Sequence, residues 1–242
     1  MLLVNDDGVH GEGLDPLRAA LAALGELKVL VPERERSAAS HSLTLHKPLR
    51  MREARPGVNT LNGTPADCAR FGILHLLRGR CDLVVSGVNR GHNLGQDVVY
   101  SGTVAAAMEA ALLGVCAIAV SQGVSRSRDY TAAAAFAAEL GRRVLAKGLP
   151  PGVALNVNVP PDVKPRGWKP CRLGERLYDK TVAERRDPRG DSYFWLAGRR
   201  VWGRNLPGTD VAAVNAGYIS VTPLRLDSTD RALLGKLGSW RL

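Results

Sequence analysis

The stretch Met1-Leu2-Leu3-Val4-Asn5-Asp6-Asp7-Gly8 decides the fold prediction, because an apolar run ends here in two adjacent carboxylates. An apolar run of this kind predicts a buried parallel strand. Like charges a few ångströms apart repel each other, so Asp6 and Asp7 favour a cation between them. Oxygen ligands favour a hard ion such as Mg²⁺, Mn²⁺ or Ca²⁺. The alternative is a polar turn that ends the strand, since Asn, Asp and Gly all form turns.

Strands and helices alternate along the first half of the chain. Leucines recur at helical spacing after the first strand, and Thr64-Pro65 has the residue types that begin a helix. The predicted strands are residues 1–4, 27–31, 83–85, 117–120 and 155–159. The predicted helices are residues 14–24, 64–77, 101–113 and 130–145. Such alternation predicts an α/β protein with a doubly wound, mostly parallel sheet.

Polar residues follow several of these strands. In folds of this class, ligands bind at the carboxyl ends of the strands. Asp6 and Asp7 follow the first strand, Ser37 lies in the loop after the second, and Asn89 follows residues 83–85. We therefore expect the three loops to open on the same edge of the sheet. A lone loop serine is otherwise a turn residue, and only its position makes Ser37 a candidate metal ligand.

Residues 86–103 form the segment that combines glycines with amide side chains. Its four glycines would let the backbone approach a ligand closely, and Asn89 and Asn93 supply amides. Ser101-Gly102-Thr103 stands at a predicted helix start, where backbone N–H groups and the helix dipole favour an anion. Simple capping of the helix by Ser101 or Thr103 is the alternative, and the two roles are compatible.

The pattern changes in the last third of the chain. We predict a core over residues 1–160 and a C-terminal extension over residues 161–242. Residues 193–196 and 200–202 flank Ala197-Gly198, which predicts a projecting β-hairpin. Its aromatic residues would belong to the core or to an oligomer contact, and the contact is favoured because the segment lies outside the regular alternation. Residues 218–222 predict a late strand that returns to the core, and residues from Leu226 onward predict a short helix and an oligomerisation tail.

The composition excludes several classes of protein. Hydrophobic residues make up 45% and charged residues 23%, as in ordinary globular proteins. No apolar stretch is as long as a membrane span and no signal-peptide pattern is present, which favours a cytoplasmic protein without a membrane partner. The net charge of +10 comes from scattered arginines, so no specific nucleic acid partner is expected. The four cysteines and five histidines lack the spacing of zinc or thioredoxin sites.

Six blocks of sequence resemble the survival protein E (SurE) family of metal-dependent 5′-nucleotidases and broader phosphomonoesterases. The blocks occur in family order over nearly the whole chain. Ser-Gly-Val-Asn at residues 86–89 and Tyr-Ser-Gly-Thr at residues 100–103 are together the most specific of them. The blocks are residues 5–8, 36–42, 63–68, 86–95, 100–107 and 217–224.

The resemblance implies a set of site residues and an assembly. One divalent metal ion per subunit would be held by Asp6, Asp7, Ser37 and Asn89, with Asp6 and Asp7 also catalytic. The phosphate site would be lined by Asn93, Ser101, Gly102 and Thr103. The fold implied is a Rossmann-like core with a projecting hairpin and a swapped C-terminal segment. The assembly implied is a homodimer or homotetramer.

The predicted function is hydrolysis of nucleoside 5′-monophosphates by a metal-activated water. The resemblance also allows 3′-monophosphates and short polyphosphate as substrates. One of the two aspartates would orient or deprotonate the water. The alternative is a non-catalytic sensor module that binds a nucleotide or phosphate at the same site.

Two other enzyme classes fit the motifs less well. A phosphoaspartyl phosphatase would carry Asp-x-Asp, whereas the two carboxylates here are adjacent and a glycine follows them. A nicotinamide dehydrogenase would carry G-x-G-x-x-G, but Gly8, Gly11 and Gly13 stand in the wrong order. Two aspartates would also lie where the pyrophosphate of a dinucleotide should approach.

Overall fold

The computed structural model describes residues 1–178, 182–196 and 201–240, which form a large sheet with helices on both faces. Its strands are β1 Leu2–Val4, β2 Lys28–Pro32, β3 Met51–Arg55, β4 Val58–Leu61, β5 Leu83–Arg90, β6 Cys116–Gln122, β7 Val153–Val159, β8 Trp168–Pro170, β9 Arg176–Tyr178, β10 Ala183–Arg186, β11 Ser192–Trp195, β12 Val201–Gly203 and β13 Ile219–Arg225. Its α-helices are α1 Leu14–Ala22, α2 Pro65–Phe71, α3 Gly102–Leu112, α4 Thr131–Lys147, α5 Asp210–Asn215 and α6 Arg231–Leu237.

The order of strands in the large sheet is β3-β4-β2-β1-β5-β6-β7-β13-β8. Strand β1 pairs in parallel with β2 on one side and with β5 on the other. The chain therefore builds the sheet outward from β1 through β2 and then, in the opposite direction, from β5 through β7. Ligands bind at such a reversal of strand order, which here lies between the carboxyl ends of β1 and β5. The doubly wound, mostly parallel α/β fold is thereby confirmed.

Helices cover both faces of the sheet. Successive side chains of a strand point to opposite faces, so residues of β1 pack on both sides. Leu3 of β1 belongs to an apolar cluster that includes Leu17 of α1 and the alanines of α4. Leu2 and Val4 belong to a second cluster, which includes Ala107 of α3 and residues of α2. The short strand β1 is thus buried on both sides, as its unbroken apolar sequence predicts.

Two helix starts follow the predicted capping pattern. Thr64 accepts a hydrogen bond from the Asp67 N–H, and the Asp67 carboxylate accepts one from the Thr64 N–H, with Pro65 in the first turn. Ser101 accepts a hydrogen bond of 3.1 Å from the Val104 N–H at the start of α3. The predicted helix over residues 64–77 is α-helical only as far as Phe71 and continues as a π-helical turn over Gly72–Leu76.

The edge formed by β3 and β4 was not predicted from the sequence. The two strands pair antiparallel, and β4 joins the sheet in parallel beside β2. Every residue of β3 is exposed or half-buried. Strand β3 therefore lacks the apolar alternation from which a strand is recognised.

The C-terminal extension contains an antiparallel hairpin, as predicted, but in the described residues its strands pair with other partners than those predicted. Strand β11 pairs antiparallel with β10, and β12 pairs antiparallel with β9. The turn between β10 and β11 is closed by Asp187, whose side chain accepts hydrogen bonds from the N–H groups of Arg189 and Asp191. Asp187 thus caps the turn at residues 187–191 with its side chain. The predicted turn at Ala197-Gly198 lies outside the described residues.

The late strand returns to the large sheet. Strand β13 lies between β7 and β8, antiparallel to β7 and parallel to β8. The division of the chain at residue 160 stays a prediction. Within the described ranges, no helix is long and apolar enough to cross a membrane.

Candidate active site

The loop after β1 holds Asp6 at the reversal of strand order. The Asp6 side chain is buried, with 5% of the residue exposed. Its Oδ1 accepts a hydrogen bond of 2.5 Å from the Thr103 hydroxyl. Asn5 closes the loop, because its side chain donates to the Gly8 carbonyl at 2.9 Å and accepts from the Gly8 N–H at 3.1 Å. Gly8 has a φ of +80°, which favours glycine at this position.

The surroundings of the two aspartates disfavour the ionised form of both carboxyl groups. Burial raises the pKa of Asp6 above its usual range, against the opposing hydrogen bond from Thr103. Burial and, second, the charge of Asp6 raise the pKa of Asp7 to about 7. A bound cation would relieve both effects, since an opposite charge nearby favours the ionised form.

The loop after β2 brings Ser37 beside Asp6. The N–H of Arg36 donates to the Asp6 carbonyl at 2.8 Å. Ser37 is exposed, and its hydroxyl donates to Glu35 Oε1 at 2.5 Å. Ser40 ties the same loop to the segment before α3, because its hydroxyl donates to the Val99 carbonyl at 2.7 Å. Ser37 is thus held at the site by main-chain and side-chain contacts of its neighbours.

Asn89 lies at the end of β5, after an irregularity in that strand. The register between β5 and β6 shifts between Ser86 and Asn89. Gly87, with a φ of +136°, lies in the shift, and a Cβ there would come within 2.3 Å of the Val120 carbonyl oxygen. The Asn89 side-chain N–H donates to the Gly91 carbonyl at 2.9 Å, which leaves the oxygen end of the amide as the group suited to a hard cation.

A cavity of about 240 Å³ opens at this edge of the sheet. It brings together five of the residues that the sequence predicted: Asp6, Ser37, Asn89, Asn93 and Ser101. They come from the loops after β1 and β2, from the end of β5 and the loop after it, and from the N-cap of α3. The expectation that these loops open on one edge is therefore confirmed.

The other three predicted residues adjoin this site without being part of the cavity lining. Gly102 packs against Asp6, and a Cβ at Gly102 would lie 3.0 Å from the Asp6 Cβ. Thr103 is fully buried and donates its hydroxyl to Asp6. Asp7 is half-buried and packs on Gly11, where a Cβ would come within 2.7 Å of the Asp7 Cβ. In this arrangement Thr103 orients a carboxylate, a role for which its sequence position gave no signal.

Asn93 is fixed by a buried network of hydrogen-bonded polar side chains. We call it the Asn93 network, and its members are Asn93, Ser121, Asn156 and Asn158. The side chain of Asn158 accepts from the Asn93 N–H at 2.8 Å and donates to the Asn93 carbonyl at 3.0 Å. Asn156 donates to the same carbonyl at 2.9 Å. The Asn93 side-chain NH₂ donates to the Ser121 hydroxyl at 2.8 Å. Its second N–H has no partner among the described residues and would be able to donate to a ligand.

The cavity also contains residues outside the predicted set of site residues. Asp97, Tyr178 and His92 line the same cavity. Arg176 donates to Asp97 Oδ2 at 2.5 Å, and the Tyr178 hydroxyl donates to Asp97 Oδ1. Arg176 and Tyr178 belong to β9, about eighty residues further along the chain than Asp97. No local motif connects them, so only the fold reveals the contact.

The candidate cation ligands are few and all oxygen. Within the described ranges, no group of three or more His, Cys, Asp or Glu side chains could hold a metal ion. A cation here would rely on the two aspartates together with the neutral oxygens of Ser37 and Asn89. Burial lowers the pKa of His92, and its Nε2 lies 2.9 Å from the Val159 carbonyl, to which the neutral ring donates in one tautomer.

Comparisons with known proteins identify the family of the chain. The model of the family described as survival protein SurE matches residues 1–180. The 5′-nucleotidase SurE of Geobacter sulfurreducens is 50% identical over 245 residues, an alignment that covers 100% of this chain and 94% of that protein. The 5′-nucleotidase SurE of Myxococcus xanthus is 47% identical over 244 residues, covering 100% of this chain and 93% of that protein.

A solved structure has the same fold. The SurE protein from Aquifex aeolicus superposes with a TM-score of 0.85 at 38% sequence identity, covering 98% of each chain. The family match, the full-length relatives and this structure agree with one another. The chain belongs to the SurE family.

Proposed function

We propose that the protein is a phosphomonoesterase that removes phosphate from nucleoside 5′-monophosphates and depends on one divalent cation per subunit. The observation that carries the proposal is the buried Asp6 carboxylate, whose pKa burial raises, in a cavity it shares with the start of α3. The relatives named 5′-nucleotidase SurE support the same substrate class. Nucleoside 3′-monophosphates and short polyphosphate are further substrates to test.

The residues present fit a hard divalent cation. Asp6 and Asp7 would supply charge, and Ser37 and Asn89 would supply neutral oxygens. The buried Asp6 has the neutral Thr103 hydroxyl as its hydrogen-bond partner, so its negative charge is left for a cation to compensate. When bound, a divalent cation at such a site neutralises phosphate charge and polarises an oxygen ligand.

The chain itself would bind and orient the phosphate. The N–H groups at the start of α3, with Ser101, face an anion favourably because of the helix dipole. The free N–H of Asn93 would donate to a phosphoryl oxygen, and the Asn93 network would hold that amide in place. One of the two aspartates would orient the attacking water or take its proton. Thr103 and Gly102 would act through Asp6, the first by a hydrogen bond and the second by close packing.

The test is phosphate release from a panel of 5′- and 3′-nucleoside monophosphates and short polyphosphate. Each substrate is assayed with a chelator and then with Mg²⁺ or Mn²⁺ restored. We expect release that is lost with the chelator and returns with the metal. Binding of nucleotide by calorimetry without release under any metal would replace the enzyme with the sensor module.

We also propose a homodimer or homotetramer. Exposed apolar residues concentrate in the C-terminal extension, where an ordinary monomer would expose them only singly. In α6 and its end they are Leu233, Leu234, Leu237 and Trp240, and in β11 and its end they are Tyr193, Phe194, Trp195 and Leu196. The tail would be swapped between subunits. Light scattering after gel filtration, on the full chain and on a chain that ends at residue 226, tests the assembly.

A further inference from the structure

We propose that Tyr178, Tyr100 and Asp97 form a nucleoside subsite, in which the aromatic rings bind the base and the carboxylate binds the ribose hydroxyls. The proposal rests on the proposed function and deepens it. It assigns substrate recognition to β9, which lies in the C-terminal extension rather than in the strands that carry the aspartates.

The first argument is location. Tyr178, Tyr100 and Asp97 line the cavity that also contains Asp6 and Ser101. A nucleotide bound through its phosphate at the start of α3 must place its sugar and base elsewhere along the same cavity. The wall formed by these three residues is therefore available to that part of the ligand.

The second argument is the exposure of the two rings. Tyr100 is 62% exposed and Tyr178 is 45% exposed, and apart from Ala38 the other residues that line the cavity are polar or charged. Exposed aromatic rings offer flat apolar faces on which a nucleobase can stack, whatever its identity. The arrangement thus favours a leaving alcohol that carries a planar base, as a nucleoside does, over a small polar alcohol.

The third argument is the chemistry of Asp97. The residue is 9% exposed, and its two oxygens accept hydrogen bonds from Arg176 and from the Tyr178 hydroxyl. Each carboxylate oxygen can accept a further hydrogen bond. A ribose presents two hydroxyl donors side by side, which match a carboxylate that is fixed in orientation and facing the cavity.

The contact between Tyr178 and Asp97 is not needed to anchor β9. The Arg176 N–H donates to Gln96 Oε1 at 2.7 Å. Asp210 accepts hydrogen bonds from the N–H groups of Gly95 and Gly174 at 2.9 and 2.7 Å. These contacts hold the extension to the loop before α3 without the Tyr178 ring. The ring is therefore free for a role in binding.

The test compares three phosphate esters on the full-length protein with metal: adenosine 5′-monophosphate, ribose 5-phosphate and glycerol phosphate. Tyr178→Ala should raise the KM for adenosine 5′-monophosphate by about tenfold, in line with the loss of one stacking face, and change the KM of the other two esters by less than about twofold. Tyr178→Phe keeps the ring and should retain most of the preference for the nucleotide.

The matched control is Tyr218→Ala. Tyr218 lies in the same extension, and its ring packs against Arg166 and Lys169 outside the cavity. This variant should leave the ratio of kcat/KM among the three esters unchanged. Circular dichroism and thermal melting of every variant show whether it is folded.

The outcomes separate the two proposals. If Tyr178→Ala lowers kcat/KM equally for all three esters, or changes none, the nucleoside subsite is wrong while the phosphomonoesterase stands. If the wild-type protein releases phosphate from none of them, the proposed function fails. Calorimetric titration with adenosine 5′-monophosphate then still decides the subsite, because Tyr178→Ala must weaken binding and Tyr218→Ala must not.

Discussion

Two buried carboxylates near helix α3 have opposite surroundings. Asp6 packs at the start of the helix with the neutral Thr103 hydroxyl as its hydrogen-bond partner, and burial raises its pKa. Glu109, in the last turns of α3, is 2% exposed and accepts hydrogen bonds from His41 at 2.8 Å and Arg70 at 2.5 Å. The hydrogen bond from His41, followed by that from Arg70, holds the pKa of Glu109 below its usual range.

The difference distinguishes a structural acid from a functional one. Glu109 is compensated by side chains of the protein itself, so its charge contributes to the folded state. In the part of the chain that the structure describes, Asp6 has no such ion pair, and its charge therefore favours a ligand of opposite sign. Both residues have a perturbed pKa, so the pKa alone does not tell the two roles apart. The hydrogen-bond partner does, since it is neutral for Asp6 and basic for Glu109.

The largest expected effect is the loss of activity in Asp6→Asn and Asp7→Asn. Each removes a charge that a cation would require, so phosphate release should fall by about 100-fold or more. The same variants should remain folded, since the carboxamide is similar in size and is not penalised by burial as a charge. Activity with saturating Mg²⁺ or Mn²⁺ and thermal melting measure the two effects. An active Asp6→Asn enzyme would contradict the contrast with Glu109.

Glu109→Gln should show the reverse pattern. The change removes the charge between His41 and Arg70, so the free energy of unfolding should fall by about 1–2 kcal/mol, a value reduced because Arg70 is half-exposed. Phosphate release at saturating metal should stay within about fivefold of the wild type, because Glu109 lies outside the cavity lining. Urea unfolding and the same activity assay provide the two readouts. Loss of activity with unchanged stability would make Glu109 functional.

The pH dependence of the metal-free protein sharpens the comparison further. The pKa of Asp7 is raised from 3.8 to about 7, so the folded state holds a proton that the unfolded state releases. The contribution of Asp7 to stability is therefore fully present below pH 4 and is lost as the pH rises to about 7. Relative to Asp7→Asn, the free energy of unfolding of the wild type should fall by on the order of 4 kcal/mol across this window.

Urea unfolding in chelator between pH 4 and pH 8 measures this difference. Added Mg²⁺ should reduce it at pH 8 if the cation compensates the carboxylates. Parallel pH curves for the wild type and Asp7→Asn would mean that Asp7 is not perturbed in the folded protein.

The smallest expected effect compares two buried serines. Ser121 hydrogen-bonds the Asn93 side chain, whereas Ser220 is equally buried in β13 and its hydroxyl has no hydrogen-bond partner within the described ranges. Ser121→Ala should lower kcat by about three- to tenfold by loosening the Asn93 amide. Ser220→Ala should leave kcat unchanged. Equal effects of the two substitutions would show that Ser121 serves packing rather than the site.

The sequence predicted the parts of the fold that repeat a simple pattern. Apolar runs identified β1, β5 and β6, and capping residues identified the starts of α2 and α3. Strand β3 was not predicted, because its residues are almost all exposed, and apolar and polar side chains do not alternate along it. The partner of β11 differs from the prediction because the Asp187 turn joins this strand to β10.

The site was predicted to the extent that its residues follow strands. Asp6, Ser37 and Asn89 come at strand ends, so topology alone gathers them at one edge. Tyr178 and Asp97 are brought together only by the packing of β9 on the loop before α3. The Asn93 network likewise depends on β7, whose asparagines alternate in the sequence without indicating what they contact.

The position of β13 has a consequence for synthesis. A ribosome produces β1 to β7 before β13, so the aspartate-bearing half of the sheet emerges while the outer edge of β7 has no neighbour. Strand β7 is almost entirely buried in the finished fold, and an open edge of this kind can pair with another chain. The nascent protein therefore remains exposed to aggregation until residues 219–225 have left the ribosome exit tunnel and closed that edge.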